Sequence, residues 1–301
     1  MRVGISLTSG RPAGDPREGA RWMVERTRAA RDAGLASLFV GDHHSTGAAY
    51  YQNTPMLGRL LAEWDDRPAG CLFLLPLWNP VLVAEQVGTL AAIAQGRFIF
   101  QCGLGDDRRQ FAAMGANVKH RPSAFEESLS IVKRLLDGER VSSGGRFRFE
   151  GAKVDPRPAE LVEYWIGGSA PPAIERAARL GDGWLAAPNL SPAQAREQAA
   201  LYLAGCAKLG KTPSAVALRR DVFVAATEDE ARRVAEPIVA AGYRGFDPAA
   251  LIWGTPEQVA HAFRDYAAMG YTDVIVRHLT DDQEQVLGSL SQLARVVDAL
   301  R

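Results

Sequence analysis

The segment Tyr164-Trp-Ile-Gly-Gly-Ser-Ala-Pro-Pro-Ala-Ile-Glu-Arg-Ala-Ala-Arg-Leu-Gly-Asp-Gly-Trp184 contains the repeating pattern that decides the fold. It begins with a short apolar strand over 164–166, and two glycines and a serine lead from that strand into a helix over about 172–180. A Gly-Asp-Gly turn then connects the helix to the next apolar segment. A strand, a helix and a second strand in this order predict two parallel strands covered by the helix.

The turn Gly167-Gly168-Ser169 is a candidate anion site. Glycines let a ligand approach the backbone closely, the first free N–H groups of a helix point outward, and Ser169 adds a hydroxyl. The same residues are equally compatible with an ordinary strand-to-helix turn capped by Ser169. The residues alone leave both interpretations open.

The same unit recurs along the whole chain of 301 residues. Eight short apolar segments alternate with segments of helical periodicity, which predicts a closed (β/α)8 TIM barrel, with an open doubly wound sheet as the alternative. Residues 138–158 include a stretch that alternates at period two and predict a small hairpin inserted before the fifth strand. We expect a single domain over 1–301, with strands at 3–7, 37–40, 71–75, 98–101, 164–166, 184–187, 216–225 and 274–277.

Composition and charge exclude several classes of protein. Hydrophobic residues make up 47% of the chain, which is enough for a large core and argues against disorder. Lys and Arg number 35, as do Asp and Glu, so the net charge gives no reason to expect nucleic acid or an anionic membrane as a partner. We find neither a signal-peptide pattern nor an apolar run of about 18 residues.

The cysteines Cys71, Cys102 and Cys206 are widely spaced and form no CxxC pair. This usage is typical of a reducing compartment and argues against a structural zinc site. Together with the absence of a membrane segment in the sequence, it leads us to expect a soluble cytoplasmic protein.

Polar and glycine-rich residues follow several of the predicted strands. In a TIM barrel the active site lies at the carboxyl ends of the strands, so these residues are the candidates for chemistry. Three of the five histidines of the chain occupy such positions. The candidates are Asp42, His43 and His44 after the second strand, Gly103-Leu-Gly105 with Asp106 and Asp107 after the fourth, Gly167 to Ser169 after the fifth, and Arg277 and His278 after the eighth.

Each of these groups also has an alternative interpretation. Asp42, His43 and His44 could bind a metal, although further ligands would have to come from scattered carboxylates, or they could cap a loop. Gly103-Leu-Gly105 is more typical of a tight turn than of a phosphate site, and it is not a GxGxxG fingerprint. Arg277 and His278 could lie at the start of a helix without chemical importance.

Several motifs, taken in order, resemble the luciferase-like monooxygenase family. They are Gly41-Asp-His-His44, the segments 75–90 and 96–105, Arg121 with Phe125-Glu-Glu127, the segment 167–184 and Gly254-Thr-Pro-Glu-Gln-Val259. The resemblance covers nearly the whole chain. It implies a barrel that binds a flavin-type cofactor, either FMN or the deazaflavin coenzyme F420, at the carboxyl ends of its strands.

The resemblance also implies roles for individual residues. The cofactor ring would lie over strands two to four, near Cys71, Leu72 and Gly103, and its phosphate would bind to Gly167, Gly168 and Ser169. Members of the family often have a bulge with a non-proline cis peptide in strand three, which would fall near Cys71-Leu72 here. The chain departs from the family at Gln110, where a glutamate is frequent, and we assign that position no role.

His43 matches the histidine near the reactive face of the ring, and Asp42 matches the acidic residue beside it. A histidine with a pKa near neutrality can exchange the proton that accompanies hydride transfer, and a neighbouring carboxylate can orient it. We expect His44, Tyr50, Tyr51 and Trp78 to contact the substrate, although Trp78 could equally belong to the core.

Three functions are compatible with these features. The first is an oxidoreductase that transfers hydride between F420 or FMN and a small organic substrate. The second is a two-component monooxygenase that takes reduced FMN from a flavin reductase and uses O₂. The third is a flavin-binding protein without turnover. We expect a homodimer, no bound metal and no nucleic-acid partner; the residues identify neither the substrate nor which of the two cofactors is used.

Overall fold

Eight parallel strands form a closed barrel in the computed structural model, which describes residues 1–11 and 14–301. The strands are β1 (Arg2–Leu7), β2 (Leu38–Val40), β3 (Ala69–Leu74), β4 (Phe98–Gly103), β5 (Glu163–Gly167), β6 (Gly183–Ala186), β7 (Ala215–Val224) and β8 (Asp273–His278). Neighbouring strands pair in the order β6-β5-β4-β3-β2-β1-β8-β7, and a further pairing of β6 with β7 closes the ring. The predicted TIM barrel is confirmed and the open sheet is wrong.

Helices surround the barrel and cover its outer face. They are α1 (Pro16–Asp32), α2 (Asn53–Leu60), α3 (Pro80–Ile93), α4 (Arg108–Ala113), α5 (Arg121–Leu136), α6 (Pro171–Leu180), α7 (Pro192–Lys208), α8 (Glu228–Ala240), α9 (Pro256–Ala268) and α10 (Gln283–Ala299). Local sequence sets many of their starts: Ser191 and Thr255 each form a capping box and are followed by proline at the first helical position. Short 3₁₀ turns lie at Leu75–Leu77, Val118–His120, Tyr243–Gly245 and Pro248–Ala250.

In the described ranges, three short strand pairings lie outside the eight-stranded ring. Val141–Gly144 pairs antiparallel with Arg148–Ala152, which confirms the hairpin expected within 138–158. Gly10–Arg11 pairs with Ala49–Tyr50 and so joins the loops that follow β1 and β2. Ile252–Gly254 pairs with the last residues of β7, an addition that the sequence pattern did not predict.

Side chains of the strands alternate between the helices and the barrel lumen. Phe39, Ile99, Trp165 and Ile275, with two alanines of β7, form an apolar floor inside the barrel. Because strand side chains repeat every second residue, the next residues on the same face form a layer above that floor. This mouth layer consists of Gly41, Gln101, Gly167, Arg219 and Arg277. It replaces apolar bulk with glycines and polar groups, and so defines where a ligand can enter.

The bulge with a cis peptide that the resemblance implied near Cys71-Leu72 is not found, so this expectation was wrong. β3 pairs with β4 through six consecutive residue pairs, from Ala69 with Phe98 to Leu74 with Gly103, without a register shift. Such continuous pairing leaves no extra residue for a bulge. In the part of the chain that the structure describes, the cis peptide bond lies elsewhere, at Asp155–Pro156.

Cys71, Cys102 and Cys206 are buried, and none forms a disulfide. Over residues 1–11 and 14–301, no helix combines the length and the apolar character that a bilayer crossing requires.

Candidate active site

His43 is exposed at the mouth of the barrel, three residues beyond the end of β2. Its ring meets the ring of Tyr50 edge to face, with the centroids 5.3 Å apart. Although the residue is exposed, the surrounding protein removes part of the hydration of its imidazole. This loss of hydration lowers the pKa of His43, as do the positive charges of Arg277 and Arg244, and the negative charge of Asp42 opposes them. The imidazole is therefore neutral at pH 7.

The side chain of Gln110 fixes the state of this imidazole. Oε1 of Gln110 accepts a hydrogen bond from the backbone N–H of His44 at 2.9 Å, which identifies the oxygen of the amide. The amide NH₂ therefore faces Nδ1 of His43, at 3.2 Å. Because an amide NH₂ can only donate, Nδ1 must accept, and the single proton of the neutral ring lies on Nε2. His43 thus presents an N–H donor to the mouth.

Asp42 interacts with His44 and Trp78 and makes no hydrogen bond to His43. The carboxylate is fully buried, and its Oδ2 accepts from the backbone N–H of Leu74 at 2.7 Å and from Nε1–H of Trp78 at 2.8 Å. Its Oδ1 lies 3.2 Å from Nε2 of His44. His44 in turn packs edge to face on Trp78, with ring centroids 5.2 Å apart. These residues join the ends of β2 and β3 beneath His43.

The two tyrosines of the loop after β2 have different environments. Tyr50 lies beside His43, and burial raises the pKa of its phenol to about 12, so it is a neutral donor at pH 7. Tyr51 turns away from the mouth, and its hydroxyl donates to the carbonyl of Pro16 at 2.5 Å. Tyr51 lines an outer groove between α1 and α2. The structure therefore brings Tyr50, but not Tyr51, to His43.

Of the residues expected to contact the cofactor ring, Leu72 and Gly103 lie on the lumen side of their strands. A Cβ added to Gly103 would meet no atom closer than 3.8 Å, the distance to a methyl group of Leu74. Cys71 lies on the other side of β3, where burial raises the pKa of its thiol well above the usual range. Only the backbone of Cys71 could approach a ligand.

The turn after β5 has free hydrogen-bond donors, but they are not those of a helix N-terminus. The first two residues of α6 are Pro171 and Pro172, which have no N–H, and the N–H of Ala173 returns to the carbonyl of Ala170 at 2.8 Å. The expectation of free helical N–H groups was therefore wrong. Ser169 does not cap the helix either, because the N-cap is Ala170.

The donors that remain at this turn are the hydroxyl of Ser169 and the backbone N–H groups of Ser169 and Ala170. The Oγ of Ser169 is buried, and it finds no hydrogen-bond partner among the residues that the structure describes. A Cβ at Gly167 would meet nothing closer than 3.5 Å, so a methyl group would fit beside this residue in ordinary van der Waals contact. Gly168 differs, since a Cβ there would lie 2.6 Å from the Cβ of Ala173. Gly168 is thus required for the packing of α6 against the turn.

Gln101 is a site residue that the sequence analysis missed. Its side chain belongs to the mouth layer and is 4% exposed. Within the described ranges, its Nε2 has no hydrogen-bond acceptor. A buried amide N–H without a partner costs free energy, about 1–3 kcal/mol, unless a ligand or water supplies the acceptor.

Positive charge collects on the side of the mouth formed by β7 and β8. Arg219 pairs with Asp221 two residues further along β7, at 3.1 Å, and burial lowers the pKa of Arg219 to about 10. Arg244 reaches the same carboxylate at 3.3 Å, and the hydroxyl of Tyr243 donates to it at 2.8 Å. Arg277 donates from Nε to Oγ1 of Thr8 at 3.1 Å.

His278 does not take part in the site. It is 6% exposed on the outer side of β8, and burial lowers the pKa of its imidazole to about 3. Asp106 and Asp107 lie at the start of α4, where Asp107 accepts from the backbone N–H of Arg109 at 2.8 Å as an N-cap. In the described part of the chain, no group of three or more His, Cys, Asp or Glu side chains could hold a metal ion.

Comparison with known proteins agrees with this architecture. The model of the family described as luciferase-like monooxygenase matches residues 1–251. The chain belongs to this family. A similar curated relative of this luciferase-like protein is the F420-dependent glucose-6-phosphate dehydrogenase of Intrasporangium calvum, 29% identical over 179 residues. That alignment covers 56% of the chain and 54% of the relative, so the match spans about half of the relative's length.

A second curated relative and a solved structure extend the comparison of the luciferase-like protein. The 5,10-methylenetetrahydromethanopterin reductase of Archaeoglobus fulgidus is 29% identical over 249 residues, with 81% of the chain and 73% of the relative covered. Among solved structures, the monooxygenase RslO1 of Streptomyces bottropensis superposes with a TM-score of 0.85 at 20% identity, covering 98% of each chain. The superposition shows that the two proteins share a fold.

Proposed function

We propose that this luciferase-like protein is an oxidoreductase that binds F420 at the mouth of the barrel and transfers hydride between it and a small organic substrate. The observation that carries the proposal is the neutral His43, which directs an N–H donor into a mouth layer built from glycines and polar groups, among them the unpartnered amide of Gln101. The F420-dependent dehydrogenase among the relatives supports the choice of cofactor.

The residues present fit such a cofactor. The hydroxyl of Ser169 and the backbone N–H groups of Ser169 and Ala170 would hold its phosphate, because these donors are otherwise unused in the described structure. The ring would occupy the space beside Gly103 and Gly167, where the unpartnered amide of Gln101 needs an acceptor. When bound, the cofactor accepts or gives the hydride, while the protein supplies position and electrostatics.

In this proposal His43 acts as a hydrogen-bond donor to the substrate. Its Nδ1 lone pair is taken by Gln110, so the ring cannot accept a proton at the mouth without losing that bond. Nε2–H can, however, donate to a substrate oxygen on which negative charge develops during hydride transfer. In comparable sites, removal of a fixed donor that faces developing charge raises the activation free energy by about 2.7–4 kcal/mol. Tyr50, also neutral at pH 7, is the second donor within reach.

Asp42 supports this arrangement from below. Its carboxylate accepts from Leu74 and Trp78 and lies against His44, so it holds the end of β2 in place. Its negative charge also opposes the fall in the pKa of His43. We propose a positioning role for Asp42, His44 and Trp78 instead of direct contact with the substrate.

A monooxygenase that uses reduced FMN and O₂ is the second candidate, and the fold similarity to RslO1 favours it. Turnover experiments separate the candidates. Under anaerobic conditions, the protein loaded with F420 should exchange hydride with a panel of small alcohols, aldehydes and enones, and adding O₂ should give no oxygenated product. Oxygenated product from reduced FMN would favour the monooxygenase, and tight binding without either reaction would favour a flavin-binding protein without turnover.

A further inference from the structure

Among the residues that the structure describes, three arginines line one side of the mouth, and they outnumber the carboxylates near them. Arg219 and Arg277 belong to the mouth layer, and Arg244 reaches over from the turn at Tyr243–Gly245. Asp221 is the carboxylate that two of them share. Even when Asp42 is counted as a second negative charge, this side of the mouth retains an excess of positive charge.

Arg277 is the arginine that lacks a charged partner. In the pairing of β7 with β8 it lies directly opposite Asp221, a position from which an ion pair would be easy to form. Its Nε instead donates to Thr8 at 3.1 Å, on the β1 side of the barrel. Within residues 1–11 and 14–301, Arg277 forms no ion pair, and the rest of its guanidinium remains available for a ligand.

Arg244 lies at the mouth in a strained backbone conformation. It has a positive φ of 51°, in a conformation that residues other than glycine seldom adopt. The ion pair with Asp221 and the stacking of its guanidinium on Phe246, 4.9 Å from the ring centroid, hold it there. Strained backbone conformations cluster at ligand-binding positions, and Arg244 combines such a conformation with a charged side chain at the mouth.

We propose that Arg277, Arg219 and Arg244 form a subsite for an oxyanion group of the substrate, a phosphate or a carboxylate. Guanidinium groups bind such groups through paired N–H donors, and an excess of partly buried positive charge is stabilised by a bound anion. The substrate of this protein would therefore carry its negative group on the β7–β8 side of the mouth and its reacting carbon toward His43. This inference rests on the proposed function, since it assumes that the reaction takes place at the same mouth.

The subsite is electrostatically coupled to His43. The positive charges of Arg277 and Arg244 both act on the imidazole. An anion bound between them would neutralise part of that field, so protonation of His43 would become easier. Binding can therefore be followed at His43 itself, in protein that contains no cofactor.

The test is a titration of the wild-type protein with inorganic phosphate and, separately, with acetate, followed by NMR of the histidine imidazoles. Either anion should shift the His43 signals saturably and raise the pKa of His43. Arg277→Gln should weaken this binding at least about tenfold. Arg109→Gln is the matched control, because Arg109 lies near the same end of the barrel but its side chain is 93% exposed, and it should leave binding unchanged.

Three results would overturn the subsite: no saturable shift at His43, equal binding by wild type and Arg277→Gln, or equal weakening by Arg109→Gln. A second titration, with F420 present at saturation, identifies the source of the anion. If the subsite serves the substrate, phosphate should still bind; competition would assign the arginines to the cofactor instead. Failure of F420 to bind, with phosphate binding intact, would refute the proposed cofactor and leave the anion subsite standing.

Discussion

Replacing Gln110 with glutamate should reverse the hydrogen-bonding role of His43. In the wild type, Oε1 of Gln110 accepts from the N–H of His44 at 2.9 Å, and the amide NH₂ donates to Nδ1 of His43 at 3.2 Å. Gln110→Glu keeps the first bond, but it places a carboxylate oxygen, which can only accept, against Nδ1. The proton should therefore move to Nδ1, which leaves Nε2 free to act as a base.

The size of the effect follows from the type of bond. A hydrogen bond between an imidazolium and a carboxylate contributes about 1.5–3 kcal/mol, and about 1.4 kcal/mol corresponds to one pKa unit, so the pKa of His43 should rise by roughly one to two units. The direction is upward, because the new negative charge stabilises the protonated ring. In the wild type, burial already lowers this pKa, so the variant should titrate at a higher pH than the wild type.

The assay is ¹H–¹⁵N NMR of the five imidazoles over a pH series, with turnover measured at the same pH values. Gln52→Glu is the control: the amide of Gln52 donates to the backbone carbonyl of His43 at 3.1 Å, so the variant adds a charge nearby without touching Nδ1. It should leave the proton on Nε2. A wild-type protein with its proton on Nδ1, or an unchanged His43 in Gln110→Glu, would refute the reasoning.

Three further predictions concern other parts of the protein. Ser169→Ala should weaken F420 binding about tenfold without changing thermal stability. Gly168→Val should instead lower thermal stability, because its Cβ would press on Ala173. Fluorescence titration measures the first effect and thermal unfolding measures the second. His43→Ala should lower kcat by roughly 10²- to 10³-fold with little change in cofactor affinity, as single-turnover kinetics would show. His278 is buried and neutral, with a pKa of about 3, whereas an unfolded histidine has a pKa of about 6.5, so protonation below about pH 6.5 favours the unfolded state. Between pH 7 and pH 5 this should lower the free energy of unfolding by roughly 2 kcal/mol. Urea unfolding of His278→Asn at the two pH values should show that this loss has disappeared.

Much of the fold follows from the sequence, because local patterns determine it. All eight barrel strands lie within two residues of their predicted bounds, and the hairpin falls within 138–158. Short apolar strands and helices begun by capping residues and prolines need no long-range information to be recognised. The short strand Ile252–Gly254 was missed because three residues carry too little periodicity to detect.

The site was predicted less well, because it depends on contacts between distant residues. Gln110 is 67 positions from His43, and nothing in the local sequence shows that its amide meets Nδ1; the available signal was the substitution of glutamine for a frequent glutamate. Asp42 was expected to orient His43, whereas its carboxylate faces His44, Trp78 and Leu74. A sequence places these groups at one end of the barrel but does not fix which atoms meet.

The mouth layer could have been derived from the sequence. Arg219, Arg220 and Asp221 interrupt a predicted strand that is otherwise apolar, and charges within a buried strand indicate a site. Period-two alternation then places Arg219 and Asp221 on the lumen face with Ala217, and Arg220 on the outer face, where it donates to the carbonyl of Pro188 at 2.9 Å. The turn that brings Arg244 to Asp221 could not have been found in this way, because it depends on the path of the chain after α8.

A parallel binding titration with F420 and with FMN, each oxidised and reduced, tests the central claim most directly. The wild-type protein should bind F420 saturably and at least about tenfold more tightly than FMN, and Ser169→Ala should weaken the F420 complex by a similar factor. Binding of FMN alone would contradict the choice of cofactor. Binding of neither cofactor by folded protein would contradict the account of the mouth as a cofactor site.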